Sequence, residues 1–127
     1  MSEVPQFSVA ARARSFRYAA RGVVALLRSQ HNAWIHAAAS VAVVGLGLFV
    51  GLSRLEWCLV VLVMTAVWTA EAVNTALEAL CDVASPDLHP LVERAKDIAA
   101  GAVLLTAVGA AVVGVLVFGP HLLWRGW

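Results

Sequence analysis

The chain has 127 residues, of which 61% are hydrophobic and only 13% are charged. Soluble globular proteins are close to half apolar and a quarter charged, so this composition excludes an ordinary soluble domain of such a small size. The formal net charge is +1, and a nearly neutral chain has no strong field to attract a nucleic acid. We therefore expect an integral membrane protein with no nucleic-acid partner.

Residues 7–28 have the pattern of an amphipathic surface helix. At about 100° per residue, one face is apolar and another carries arginines. The apolar residues are Phe16, Ala20, Val23 and Leu27, and the arginines are Arg14, Arg17, Arg21 and Arg28. This combination is typical of a helix that lies in the membrane interface. A soluble helix that packs on a partner is the alternative.

Three apolar segments, each long enough to cross a bilayer, follow this helix. We predict transmembrane helices at about 33–53, 55–82 and 95–124. The segment before the last of them contains two prolines. We predict a loop there, because proline fixes φ and removes a backbone donor. We therefore predict an all-α membrane protein in which residues 1–127 form a single domain.

The basic residues are unevenly distributed between the two ends of these spans. Seven arginine or lysine side chains fall on the side of the N-terminus and the 83–95 loop, whereas Arg54 and Arg125 fall on the other side. Cytoplasmic loops carry an excess of Arg and Lys. The bias therefore predicts a cytoplasmic N-terminus and loop, with the C-terminus outside.

Four polar side chains share one face of the second span. With Glu71 at 0°, Asn74, Glu78 and Asp82 fall within an arc of about 80°. Ionisable residues inside a membrane span are costly, and they mark either a functional site or a buried pairing between helices. A row of three acids and an amide, graded from the middle of the membrane to the cytosol, favours a functional site.

Lys96 and Asp97 lie where the third span enters the bilayer. An antiparallel hairpin through residues 83–93 would bring them beside Asp82. Carboxylates can hold Mg²⁺, which prefers oxygen ligands and shares them with phosphate. A lysine can neutralise phosphate charge, and a deeper carboxylate can accept a proton from a lipid hydroxyl. These groups meet the needs of phosphoryl transfer, which are positioning and charge neutralisation.

The motifs around these residues resemble the prokaryotic diacylglycerol kinase and undecaprenol kinase family. The resemblance covers nearly all of the chain after about residue 12, and it is most specific at EAVNTALE (71–78) and AKD (95–97). The segments NAWIH (32–36) and FGPH (118–121) are more similar to the undecaprenol kinase branch. The resemblance implies a bacterial inner-membrane enzyme that uses ATP and Mg²⁺ to phosphorylate a lipid alcohol, with undecaprenol favoured over diacylglycerol.

The resemblance also implies a homotrimer with active sites shared between neighbouring subunits, and it implies a role for individual residues. Glu71 would be the general base, Asn74 would help to place it, and Glu78 would be a metal ligand. The implied catalytic residues are Glu71, Asn74, Lys96 and Asp97; the implied ATP-binding residues are Tyr18, Gln30, Glu78, Asp82, Asp87, His89, Lys96 and Asp97; and the implied lipid-binding residues are Arg14 and Glu71.

Gln30 departs from the family pattern, because many relatives have a metal-binding glutamate there. An amide oxygen can ligate Mg²⁺ but brings no charge, so Gln30 is a candidate ligand that would bind the metal weakly. A catalytically impaired kinase homologue is therefore one alternative, and a small proton-coupled transporter or channel with Glu71 as carrier is another. A lone subunit would expose its acidic face to lipid, so each alternative predicts a partner subunit. We interpret His31, His36 and His121 as interface residues.

Overall fold

The computed structural model describes residues 8–29, 31–85, 87 and 89–123. In chain order, the helices are α1 (Val9–Ser29), α2 (His31–Val50), α3 (Arg54–Ala84) and α4 (Pro90–Leu123). The last three are each long and apolar enough to cross a membrane. The prediction of an all-α fold with three helices suited to spanning a membrane is therefore confirmed for the described residues.

The turn between α2 and α3 is set by its local sequence. Gly51 has a φ of 74°, a left-handed conformation that glycine adopts without steric cost and that ends α2. Ser53 then begins α3 with a capping box: its hydroxyl accepts from the Glu56 backbone N–H at 3.3 Å, and the Glu56 carboxylate accepts from the Ser53 backbone N–H at 2.7 Å. These reciprocal bonds satisfy two donors that the helix end would otherwise leave free.

The second turn is followed by a helix that starts earlier than the predicted span. α4 begins at Pro90, whereas the sequence analysis places the span from about Ala95. Proline suits the first position of a helix because its φ is already helical and its missing N–H is not needed there. As a result, Lys96 and Asp97 lie in the second turn of α4 and not at its first residues.

α3 and α4 form the most extensive helix pair, and α2 packs on them. A cluster of apolar side chains lies near the turn between α2 and α3: Val50, Leu52, Val60, Val117 and Phe118. Gly47 of α2 lets the Trp57 indole approach closely, since an added Cβ would lie 2.8 Å from Trp57 Cη2. At the same end, His121 Nε2 donates a hydrogen bond to Glu56 Oε1 at 2.8 Å. These contacts join the three spans at the end opposite the α3–α4 loop.

Candidate active site

The polar residues of α3 pass from a buried to an exposed environment along the helix. Glu71 is 1% exposed and Asn74 is 7% exposed, whereas Glu78 is partly buried and Asp82 is exposed. This order follows the gradation that the sequence predicts. The expectation that a lone subunit exposes this face to lipid is wrong for Glu71 and Asn74, because the chain itself buries both side chains.

The Glu71 carboxylate is buried without full hydrogen bonding. Among the described residues, its Oε2 atom has no hydrogen-bond partner. The Nε2 atom of His36 on α2 lies 3.7 Å from Oε2, which is longer than a hydrogen bond. A buried polar atom without a partner is costly in a native protein, so it needs an explanation, and a catalytic role is one of them. The Glu71 carboxylate therefore has one buried oxygen that is not satisfied by a described hydrogen bond.

Asn74 and Glu78 form a pair of oxygen-bearing side chains one turn further along. The amide Nδ2 of Asn74 donates to Glu78 Oε1 at 2.9 Å, so this bond joins Asn74 to Glu78 and not to Glu71. The Asn74 Oδ1 atom is buried with no hydrogen-bond partner among the described residues. A carboxylate beside an unpartnered amide oxygen matches the ligand preference of Mg²⁺.

One chain alone offers a small set of metal ligands. The described residues contain no group of three or more His, Cys, Asp or Glu side chains able to hold a metal ion. Mg²⁺ is usually held by one or two carboxylates together with substrate phosphates and water. Gln30, the second candidate ligand, lies outside the described residues.

A cleft of about 460 Å³ opens at the loop end of the α3–α4 pair. It is lined by Asp82, Ser85, His89, Val92, Glu93, Lys96 and Asp97. Lys96 Nζ donates to Asp82 Oδ1 at 2.5 Å, so the hairpin brings these two residues together as predicted. Ser85 Oγ donates to the backbone oxygen of Asp87 at 2.6 Å, which places Asp87 in the turn beside the cleft. The cleft is therefore open and lined mostly by polar side chains: three carboxylates, together with Ser85, His89 and Lys96, which can donate hydrogen bonds to a phosphate.

The two candidates on α1 are not brought to this cleft. Tyr18 and Arg14 are both exposed, and the described residues that line the cleft include neither of them. The guanidinium of Arg21 lies 6.0 Å from the centroid of the Tyr18 ring, within the range of a cation–π contact. The described contact of Tyr18 is thus with its own helix.

Sequence reasoning missed two residues near the site. Glu93 lines the cleft one turn before Lys96 on α4, and its i, i+3 spacing from Lys96 was a signal that could have found it. His36 lies beside Glu71, but a single histidine in an apolar span gives no periodic signal. Only the packing of α2 on α3 brings His36 to this position.

Comparisons with known proteins place the chain in a family. The family model for prokaryotic diacylglycerol kinase matches residues 17–118. The chain is 40% identical over 109 residues to the undecaprenol kinase of Bacillus subtilis strain 168, covering 86% of this chain and 89% of that protein. It is 39% identical over 110 residues to the diacylglycerol kinase of Synechocystis sp., covering 86% of this chain and 63% of that protein.

The chain belongs to the prokaryotic diacylglycerol kinase family. The family and both relatives are lipid kinases by name, and the described helices can span a membrane. The protein is therefore a membrane lipid kinase, which confirms that prediction and favours it over a transporter or channel.

Proposed function

We propose that the protein transfers the γ-phosphate of ATP, with Mg²⁺, to the hydroxyl of a membrane lipid alcohol, and that undecaprenol is favoured over diacylglycerol. The observation that carries this proposal is the polar face of α3. This face runs from buried Glu71 to exposed Asp82, which pairs with Lys96 of α4 at the cleft. Its open end suits a nucleotide, and its buried end suits the hydroxyl of an apolar alcohol.

In this proposal Glu71 is the general base. Its buried carboxylate would accept the proton of the lipid hydroxyl as the hydroxyl oxygen attacks the γ-phosphate and the bond from that phosphate to ADP breaks. An apolar cleft of about 470 Å³ between α1 and α3 supports this role, because it extends to Ala72, next to Glu71. Val23 and Leu26 of α1 line the same cleft. A lipid chain in this cleft would bring its hydroxyl to the depth of Glu71, while Arg14 would contact the lipid head.

The nucleotide would occupy the cleft at the α3–α4 loop. Lys96 would exchange Asp82 for the phosphates of ATP, since a phosphate carries more negative charge than one carboxylate. Asp97 would help to place these phosphates, and Asp87 and His89 would contact the nucleotide from the turn. Tyr18, on α1, would approach the nucleotide from the surface helix.

Glu78 and Gln30 would hold Mg²⁺, with Asn74 fixing the Glu78 carboxylate through their hydrogen bond. When bound, Mg²⁺ supplies charge neutralisation for the transferring phosphoryl group. The unpartnered oxygen of Asn74 supports a cation near this pair. Because Gln30 brings no charge, Glu78 would provide the main electrostatic attraction for the metal.

The membrane setting is part of the proposal. The helix α1 would be an amphipathic surface helix on the cytoplasmic face of the bacterial inner membrane. The active site would be cytoplasmic and the C-terminus would be outside. Residues 1–127 would act as a single domain in a homotrimer with shared active sites, as the family resemblance implies. The segments 32–36 and 118–121 support undecaprenol through their similarity to that branch of the family.

The proposed function is tested by following labelled γ-phosphate from ATP to lipid in mixed micelles. Undecaprenol and diacylglycerol are offered side by side to the wild type, to Glu71→Gln and to Glu56→Gln, a matched substitution at the other end of α3. We expect phosphate on undecaprenol from the wild type and from Glu56→Gln. Loss of the general base should lower turnover by about 10²–10⁴-fold in Glu71→Gln.

Three results would contradict parts of this proposal. Wild-type turnover in Glu71→Gln would remove Glu71 as the base, and transfer to diacylglycerol alone would reverse the substrate preference. Absence of transfer to both lipids at high Mg²⁺, with activity appearing in Gln30→Glu, would identify a catalytically impaired homologue.

A further inference from the structure

His36 of α2 lies against Glu71 Oε2, a buried oxygen that lacks a hydrogen-bond donor among the described residues. Its Nε2 atom is 3.7 Å from Glu71 Oε2, and the two side chains are 18% and 1% exposed. The imidazole is therefore mostly buried with its nitrogen beside the carboxylate. No other basic side chain forms an ion pair with Glu71 among the described residues.

Two further side chains hold the His36 ring in this direction. Trp68, three residues before Glu71 on α3, meets the His36 ring edge to face, with the ring centroids 6.2 Å apart and an angle of 63° between the planes. The Trp68 Nε1–H donates to Ser40 Oγ at 3.0 Å, and Ser40 follows His36 by one turn of α2. Because Trp68 is fixed to α2 by this bond, it restricts rotation of the neighbouring imidazole.

The distance of 3.7 Å between His36 Nε2 and Glu71 Oε2 is slightly too long for a hydrogen bond. An N–H···O bond needs about 2.7–3.2 Å between heavy atoms, so a side-chain shift of well under 1 Å would form one. Such bonds are often long in a site without substrate and become shorter in the substrate complex.

We propose that His36 is a positioning residue for Glu71. With the lipid alcohol in place, the Nε2–H of His36 donates to Glu71 Oε2 and fixes the carboxylate plane, so that Oε1 faces the lipid hydroxyl. In this arrangement His36 does not touch the substrate and keeps its proton throughout. The inference rests on the proposed function, because His36 acts only through Glu71 as the base.

A packing role for His36 predicts a different behaviour. The ring also borders a small cavity of about 130 Å³, whose other lining residues between α2, α3 and α4 are nearly all apolar. A polar ring in such surroundings is costly unless it is hydrogen-bonded. If His36 only filled space, a phenyl ring would serve at least as well, whereas a positioning role requires the N–H donor.

Two substitutions separate these roles in the lipid phosphorylation assay. His36→Phe keeps a ring against Trp68 but removes the donor, and His36→Gln keeps an N–H donor but removes the ring. We expect His36→Phe to lower kcat by about 100-fold, the effect of misplacing a reacting group by about 1 Å, with the KM for ATP unchanged. His36→Gln should retain clearly more activity than His36→Phe. Equal or greater activity in His36→Phe, or an effect confined to KM, would overturn the inference.

The same assay separates failure of this inference from failure of the proposed function. Wild-type activity in Glu71→Gln would show that Glu71 is not the base, and the proposed function would fail. If Glu71→Gln is inactive, the inference about His36 is tested by whether His36→Gln is more active than His36→Phe. If either His36 variant does not fold, Ser40→Ala is the second test, since it frees the Trp68 indole without altering His36. We expect a smaller fall in kcat than in His36→Phe, with KM unchanged, and an unchanged kcat would contradict the proposal.

Discussion

Replacing Asn74 with leucine tests whether the polar face of α3 organises a metal site. The substitution removes the 2.9 Å hydrogen bond from Asn74 Nδ2 to Glu78 Oε1 and keeps a similar side-chain volume at a position that is 7% exposed. A hydrogen bond to a charged group contributes about 1.5–3 kcal/mol. This free energy corresponds to about 10–100-fold in an equilibrium constant, which is also the usual cost of losing a residue that orients a metal ligand.

We therefore expect Asn74→Leu to raise the Mg²⁺ concentration that gives half-maximal activity by about 10–100-fold. The assay is a Mg²⁺ titration of lipid phosphorylation at saturating lipid and ATP. Thr106→Val is the matched control, because the Thr106 hydroxyl bonds only to backbone oxygens of its own helix, those of Ala102 and Val103, in the described contacts. A half-maximal concentration in Asn74→Leu equal to that of the control, with the fold intact, would refute the link between Asn74, Glu78 and the metal.

Two further predictions concern stability and assembly. Gly47→Ala should destabilise the protein by about 1–3 kcal/mol, because the new Cβ would meet Trp57 Cη2 at 2.8 Å and overpack the contact between α2 and α3. The measurement is the midpoint of thermal unfolding in detergent. An unchanged midpoint would contradict this prediction and would show that the indole moves away freely. Light scattering of the purified protein, corrected for bound detergent, should give a protein mass three times that of one chain, and an active monomer would contradict shared active sites.

Much of the architecture follows from local patterns in the sequence. The lengths of the apolar segments determine three spans, since each must match the thickness of a bilayer. The 100° turn of a helix places Glu71, Asn74, Glu78 and Asp82 on one face without any knowledge of the fold. A short loop between antiparallel helices brings Lys96 back to Asp82, and their 2.5 Å contact agrees with that inference. In each case the residues that interact are close along the chain or related by a regular repeat.

The groups that cover this polar face and the contacts that join the spans come from the packing of the helices on one another. Periodicity shows that Glu71 shares a face with other polar groups, but not that the chain buries it or that His36 lies 3.7 Å from it. The bond between Glu56 and His121 joins residues 65 positions apart, and no local pattern predicts it. These contacts depend on the rotation and depth at which one helix packs on another. The shapes of many side chains decide both together, whereas a helical repeat specifies only directions within a single helix.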